Sequence, residues 1–186
     1  MNPIFLAARE VQAFCQQRGW RFCFIGAVAV QRWGEPRLTL DVDLTLLTGF
    51  GQEERFVDPL LAGFRPRRPD ARQFALRHRV VLLESASGIP LDIALGAMPF
   101  EERAVARATA FEIGGGESLL TCSAEDLVVF KAFAGRDKDW LDIEGLAQRQ
   151  SGRLDETLIF GELEPLLHLK QAPEAATRLR TLLAKP

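Results

Sequence analysis

Asp41 and Asp43, two residues apart, are the pair in this chain whose type and spacing most directly suggest chemistry. They open the stretch Asp-Val-Asp-Leu-Thr-Leu-Leu over residues 41–47, which reads as a strand. The period of two then puts both carboxylates on one face. Two anions at ~4 Å repel by about 4 kcal/mol at an effective dielectric of ~20. A cation in the gap relieves that repulsion, and hard carboxylate oxygens suit Mg²⁺. Two such ions about 4 Å apart would activate an attacking oxygen and stabilise a leaving pyrophosphate. Taken alone, Asp-x-Asp is read more readily as solvated acids on an edge strand.

Three further features bear on the choice. Gly26-Ala27 stands between the apolar string Arg-Phe-Cys-Phe-Ile and a short helical pattern. Backbone N–H groups at such a strand-to-helix turn, with the helix dipole behind them, can hold a phosphate. Asp92 is the single charge in Ile-Pro-Leu-Asp-Ile-Ala-Leu. An unpartnered charge in an apolar strand is expensive, so Asp92 is a candidate third carboxylate, as general base or metal ligand. Lys131, Arg136, Lys138, Asp137, Asp139 and Asp142 crowd around a helix break at Gly135. The bland reading there is a solvated junction, with Lys138 and Asp142 paired at i, i+4.

The elements that must position these residues can be sketched from pattern. Residues 3–18 read as an amphipathic helix stopped at Gly19. Strands are expected at 21–25 and 41–47, with a helix around 52–62 interrupted by Pro59. Segment 64–79 holds six arginines against one acid, Asp70, which either offer phosphate contacts or belong to a solvated surface loop and strand edge. Residues 79–85 and 89–95 read as a hairpin, and Pro99 opens a helix to about 108. Gly114-Gly115-Gly116 turns between two short strands. Ser123-Ala-Glu-Asp126 resembles a capping box, and helices follow near 124–134, 138–150, 155–169 and 173–184. The apolar stripes of the last two suit either a core or a dimer face, so the oligomeric state stays unread. Phe130, Phe133 and Trp140 read as core packing.

Composition narrows the classes. The chain has 186 residues, enough for about one domain with a small appendage. Apolar residues are 47% and charged residues 26%, which excludes disorder and fibrous folds. No apolar run approaches ~18 residues, so no membrane helix is expected, and no leader pattern is seen. Three scattered cysteines and two histidines make a zinc site or a His-based triad poor readings. The cysteines read as reduced core thiols of a cytoplasmic protein. A pI near 5.8 does not advertise bulk nucleic-acid binding.

The set as a whole is recognisable. Gly26-Ala27, then Pro-Arg37-x-Thr-x-Asp41-x-Asp43-Leu, then Leu-Asp92-Ile, then Glu-Asp-Leu-x-x-x-Lys131-x-x-Ala-x-Arg136-x-Lys138-Asp139-x-x-Asp142 resembles the nucleotidyltransferase superfamily. The likeness is nearest to AbiEii-type proteins, toxins of type IV toxin–antitoxin systems, and covers roughly residues 20–150. It implies an α/β (α+β) fold, a small mixed sheet flanked by helices, with a nucleotidyltransferase core at 1–115 and a helical region at 116–186 completing the nucleotide site. It implies an NTP substrate and Mg²⁺ or Mn²⁺ held by Asp41, Asp43 and Asp92. It also implies that Gly26, Ala27 and Lys131 meet the nucleotide, that Arg37 contacts phosphate or braces Asp41, and that Arg136 and Asp142 are in support. Where the superfamily often has Gly-Ser or Gly-Gly, this chain has Gly26-Ala27. A lost hydroxyl would remove about 1 kcal/mol of hydrogen bonding, and a left-handed backbone at Ala27 would be strained.

Three functions stay open on these residues. One is transfer of NMP to an RNA such as tRNA, or to a protein, by a toxin with a cognate antitoxin. Another is transfer to an aminoglycoside or lincosamide hydroxyl, with acids near Asp139, Asp142 and Glu144 forming an acidic cleft. The third is a catalytically weak binding module, against which the intact Asp41, Asp43 and Asp92 set argues.

Overall fold

The computed structural model describes residues 2–184. They form two compact units. One comprises the described residues up to Val28 together with Leu38–Cys122. The other comprises Ala29–Arg37 and the described residues from Ser123 onward.

The first unit is built on α1 (Pro3–Gln17), β1 (Phe22–Phe24), the start of α2 (Gly26–Trp33), β2 (Val42–Leu47), α3 (Glu54–Gly63), β3 (Arg65–Pro66), α4 (Ala71–His78), β4 (Val80–Glu84), β5 (Pro90–Gly96), α5 (Pro99–Arg107), β6 (Thr109–Gly114) and β7 (Glu117–Thr121). Its strands make a seven-stranded sheet among the described residues, ordered β3-β4-β5-β2-β1-β7-β6. Pairing is mixed. β2 runs parallel to β5 and β1 parallel to β7, while the other neighbours are antiparallel. The expected hairpin is present, with Ser85 N–H donating to Ile89 O at 2.9 Å and Gly88 taking a positive φ in its turn.

Alternation decides which face of the sheet is core. Val42, Leu44 and Leu46 of β2, Leu91, Ile93 and Leu95 of β5, and Val81 and Leu83 of β4 are buried. They pack in one cluster with Ile4, Ala7, Ala8 and Val11 of α1 and Val57 and Leu60 of α3. The intervening residues Leu82, Asp92 and Asp43 lie on the opposite face and are half-buried. At Thr45 that face is covered by α5, where the Thr45 hydroxyl donates to Glu101 at 3.1 Å.

α1 starts where Asn2 accepts from the Ile4 N–H at 2.9 Å, with Pro3 in its first turn. Pro59 does not interrupt α3 as its sequence suggested. It lies inside the helix, and the buried anchors Val57 and Leu60 on either side carry the helix across the missing N–H bond. All three cysteines are buried thiols outside any disulfide. Burial pushes the Cys15 thiol up to about 12 despite the nearby Arg18 charge, which makes it inert.

The second unit contains α6 (Ala124–Ala134), α7 (Asp137–Gln150), α8 (Glu156–Lys170) and α9 (Glu174–Leu183). Helix α6 packs against α7, α8 and α9, which is why it is apolar nearly all round. Ser123 caps it, accepting from the Asp126 N–H at 3.0 Å, and Gly135 ends it at φ 70°. The apolar stripes of α8 and α9 go largely into the core. Leu163, Leu166, Leu167, Leu179 and Leu182 are buried, while Leu169 is exposed. Trp140 is buried with its indole N–H on Gly135 O at 3.1 Å. Phe133 departs from the expected core packing and lies at the surface under the Lys170 ammonium. Among the described residues no helix is long and apolar enough to cross a membrane.

Candidate functional site

Asp43 of β2 is in register with Asp92 of the parallel strand β5. Neighbouring strands lie about 4.8 Å apart. Two carboxylates at ~5 Å repel by about 3 kcal/mol at an effective dielectric of ~20. Asp41 lies just before β2, where its Oδ1 accepts from the Thr39 hydroxyl at 2.8 Å. Thr39 is buried, so this contact fixes the approach to the strand.

The turn expected at Gly26-Ala27 is where α2 begins. Gly26 has φ 57°, and a Cβ there would overlap the Asp43 carboxylate. Only glycine satisfies both the left-handed backbone and this close approach. The strain foreseen at Ala27 is absent, because the left-handed residue is Gly26 and not Ala27. Gly26→Ala is expected to lower stability by about 1–2 kcal/mol from the backbone alone. Displacement of Asp43 adds to that. Gly19→Ala is the comparison, since Gly19 has φ 65° with open space around it and should show only the backbone component. Paired thermal melts measure the difference.

Arg67 is the residue that motif reasoning missed. Its backbone N–H donates to Leu82 O at 3.0 Å, and its guanidinium is hydrogen-bonded to Asp92. Four more of the run's six arginines are also engaged. Arg65 pairs with Glu84, Arg68 with Asp70, Arg72 with Glu54 and Asp58, and Arg79 with Glu53. The run is therefore not the loop of open cations that its sequence suggested. Part of it is helix α4, and its charge is largely matched by acids that are distant in sequence.

The other predicted positions gather in the helical unit. Lys131 is buried, with its Nζ donating to Asp142 Oδ2 at 2.6 Å and Asp139 Oδ1 at 3.5 Å. Arg37 binds Asp142 in a fork, Nε to Oδ1 at 2.7 Å and Nη2 to Oδ2 at 2.9 Å. Arg136 reaches back to Asp139 at 2.7 Å. Asp142 thus takes Lys131 and Arg37 where local spacing suggested Lys138, because α7 turns its Asp142 face into the unit. Burial pushes both carboxyls up. Hydrogen bonds and charge from Arg136 and Lys131 on Asp139, and from Arg37 and Lys131 on Asp142, outweigh it and hold both below the usual carboxylate range.

Carboxyl groups whose pKa is lowered by folding stabilise the fold fully above their ordinary value of about 3.9, and that share fades as pH falls through the lowered folded value. Urea midpoints are therefore expected to hold steady from neutral pH to about pH 4 and then drop. The doubly substituted Asp139→Asn, Asp142→Asn protein should lose less on acidification, from a lower start.

Whether these residues suit a divalent cation can be judged from the donors. Asp41 and Asp43 supply only hard oxygens, which suits Mg²⁺ or Mn²⁺ and not a soft metal. Asp92 is alongside but engaged by Arg67. Among the described residues no group of three or more His, Cys, Asp or Glu side chains is already gathered for a metal. Such a cation would fall to Asp41 and Asp43, with Asp92 in register with Asp43 and paired to Arg67.

Comparison with solved structures decides the fold. A nucleotidyltransferase-like antigenic protein of Paracoccidioides brasiliensis superposes with a TM-score of 0.53 at 16% identity, over 95% of this chain and 91% of that one. This chain has a nucleotidyltransferase-like fold. The antibiotic-resistance factor ANT(2'')-Ia in solution agrees, with a TM-score of 0.51 at 18% identity over 95% of both chains. No protein-family model and no curated protein matches the sequence. At such identities the nucleotidyltransferase-like fold is what the likeness establishes.

Proposed function

We propose that this protein transfers a nucleoside monophosphate from an NTP to an acceptor hydroxyl. The observation that carries the reading is Asp43 in register with Asp92, on the half-exposed sheet face, closed against Gly26 at the start of α2. The acceptor oxygen forms the new bond to the α-phosphorus, the bond from that phosphorus to the bridging oxygen breaks, and pyrophosphate leaves. Asp92 takes the hydroxyl proton. The N–H groups at Gly26 and Ala27 hold phosphate oxygens at the helix N-terminus. A cation bound by Asp41 and Asp43 would draw charge from the α-phosphate and the leaving group.

The charge network of Lys131, Arg37, Arg136, Asp139 and Asp142 supports the helical unit in this reading. The AbiEii-type toxin role, with an RNA, tRNA or protein acceptor and a cognate antitoxin, leaned on the arginine run. Pairing of Arg65, Arg67, Arg68, Arg72 and Arg79, five of its six arginines, to acids weakens the positive field that would steer RNA to that surface. The acidic cleft imagined at Asp139 and Asp142 is likewise neutralised. We place a compact hydroxyl-bearing acceptor first, in accord with the antibiotic-resistance factor of like fold. Each α-labelled NTP, incubated with Mg²⁺ and cell extract, tests this. Label on a small molecule supports it. Label on RNA or protein returns the toxin reading, and no label on any acceptor overturns the transferase.

A further inference from the structure

Four residues stand in one row across the sheet. Arg67 follows β3 and bonds through its N–H to Leu82 of β4. Leu82 is in register with Asp92 of β5, and Asp92 with Asp43 of β2. Between β3 and β5 lie two strand spacings, about 10 Å, which the long arginine side chain crosses to reach Asp92. The Arg67 side chain is 27% exposed and that of Asp92 34%, so the pair can open without unfolding anything. A guanidinium fork matches a carboxylate and a phosphate equally well. A partly exposed pair of this kind is weakly held and exchanges readily.

We propose that Arg67 is a positioning residue that exchanges partners, holding Asp92 at rest and passing to the NTP phosphates when a divalent cation comes to the acids. The inference rests on the nucleotidyl-transfer reading of this site. At rest Arg67 relieves the repulsion between Asp92 and Asp43, so the acids stay in register with no metal. It also competes with the metal, so that free cation is bound weakly. When nucleotide arrives, the phosphates offer Arg67 a second anion and release Asp92. Cation and nucleotide binding are thereby coupled through one side chain. Nothing in the sequence motif identifies Arg67, because its partner is 25 residues away along the chain.

The test is Mn²⁺ titration of the full chain without nucleotide, followed by electron paramagnetic resonance. Arg67→Ala should bind Mn²⁺ about fivefold more tightly than the unaltered protein. Arg67→Lys, which keeps the charge, should stay close to it. Arg65→Ala, which removes a neighbouring arginine paired with Glu84, should change Mn²⁺ affinity by less than about twofold, which controls for general charge. The gain should vanish when Asp92→Asn is added to Arg67→Ala. A fluorescent NTP analogue should bind Arg67→Ala about fivefold more weakly in the presence of Mn²⁺. Equal Mn²⁺ affinity in the Arg67→Ala and unaltered proteins, with Asp43→Asn still weakening it, overturns the exchange and leaves the metal reading standing. Mn²⁺ binding that ignores Asp43→Asn overturns both.

Discussion

Asp43→Asn should leave the fold intact and reduce nucleotidyl transfer by about 10³-fold or more, equivalent to about 4 kcal/mol of transition-state stabilisation. The substitution keeps the size of the side chain and removes one charge. It also removes a like charge from beside Asp92, so the melting temperature should change little. What is lost is the anionic oxygen needed beside the reacting phosphate. Asp43→Glu should fail nearly as badly for a different reason. Gly26 already closes on the Asp43 carboxylate so tightly that a Cβ would not fit, so an added methylene must move the carboxylate away from its place beside the turn. Single-turnover transfer with the preferred NTP, beside thermal melts of each protein, separates chemistry from folding. A well-folded Asp43→Asn protein that transfers at the unaltered rate would remove Asp43 from the site.

Local chemistry made much of this site legible in the sequence, and register hid the rest. Alternation puts Asp43 on the half-buried face of β2 because a strand's period is short and strict, whereas Asp41 lies just before the strand. The helix starts at Pro3, Pro99 and Ser123 and the stop at Gly135 are visible for the same reason, since caps act within a turn. Gly26 shows the limit of such reasoning. The turn is readable, but which of two residues takes the left-handed backbone depends on Asp43, 17 residues further on. Arg67 on Asp92 depends on two strand pairings at once and leaves no local trace. The arginine run misled because charge counted along a chain ignores acids folded onto it from Glu53, Glu54, Asp58 and Glu84. Pro59 misled because burial of its neighbours outweighs a local propensity.

Lys131 separates two physical roles that the sequence could not. The motif resemblance makes it a phosphate ligand, whereas the structure buries its ammonium between Asp139 and Asp142. Lys131→Met keeps the aliphatic stem and removes the charge, so packing is nearly conserved. Two buried carboxylates then lose their shared cation. Each keeps an arginine, Arg37 on Asp142 and Arg136 on Asp139. The expected loss is therefore near the low end for breaking a buried pair, about 3 kcal/mol. For a chain of this length that lowers the melting temperature by about 6–12 °C. Adding Asp142→Asn should recover part of the loss, because it removes the carboxylate left with the weaker compensation. A ligand lysine behaves in the opposite way. Its removal leaves the melting temperature unchanged, or raises it, and weakens NTP binding. Melts and NTP titrations on Lys131→Met therefore give different answers under the two roles. Unchanged stability with weakened NTP binding would assign Lys131 to the nucleotide. Lost stability that Asp142→Asn partly restores assigns it to the fold, where its charge fixes the α6–α7 junction.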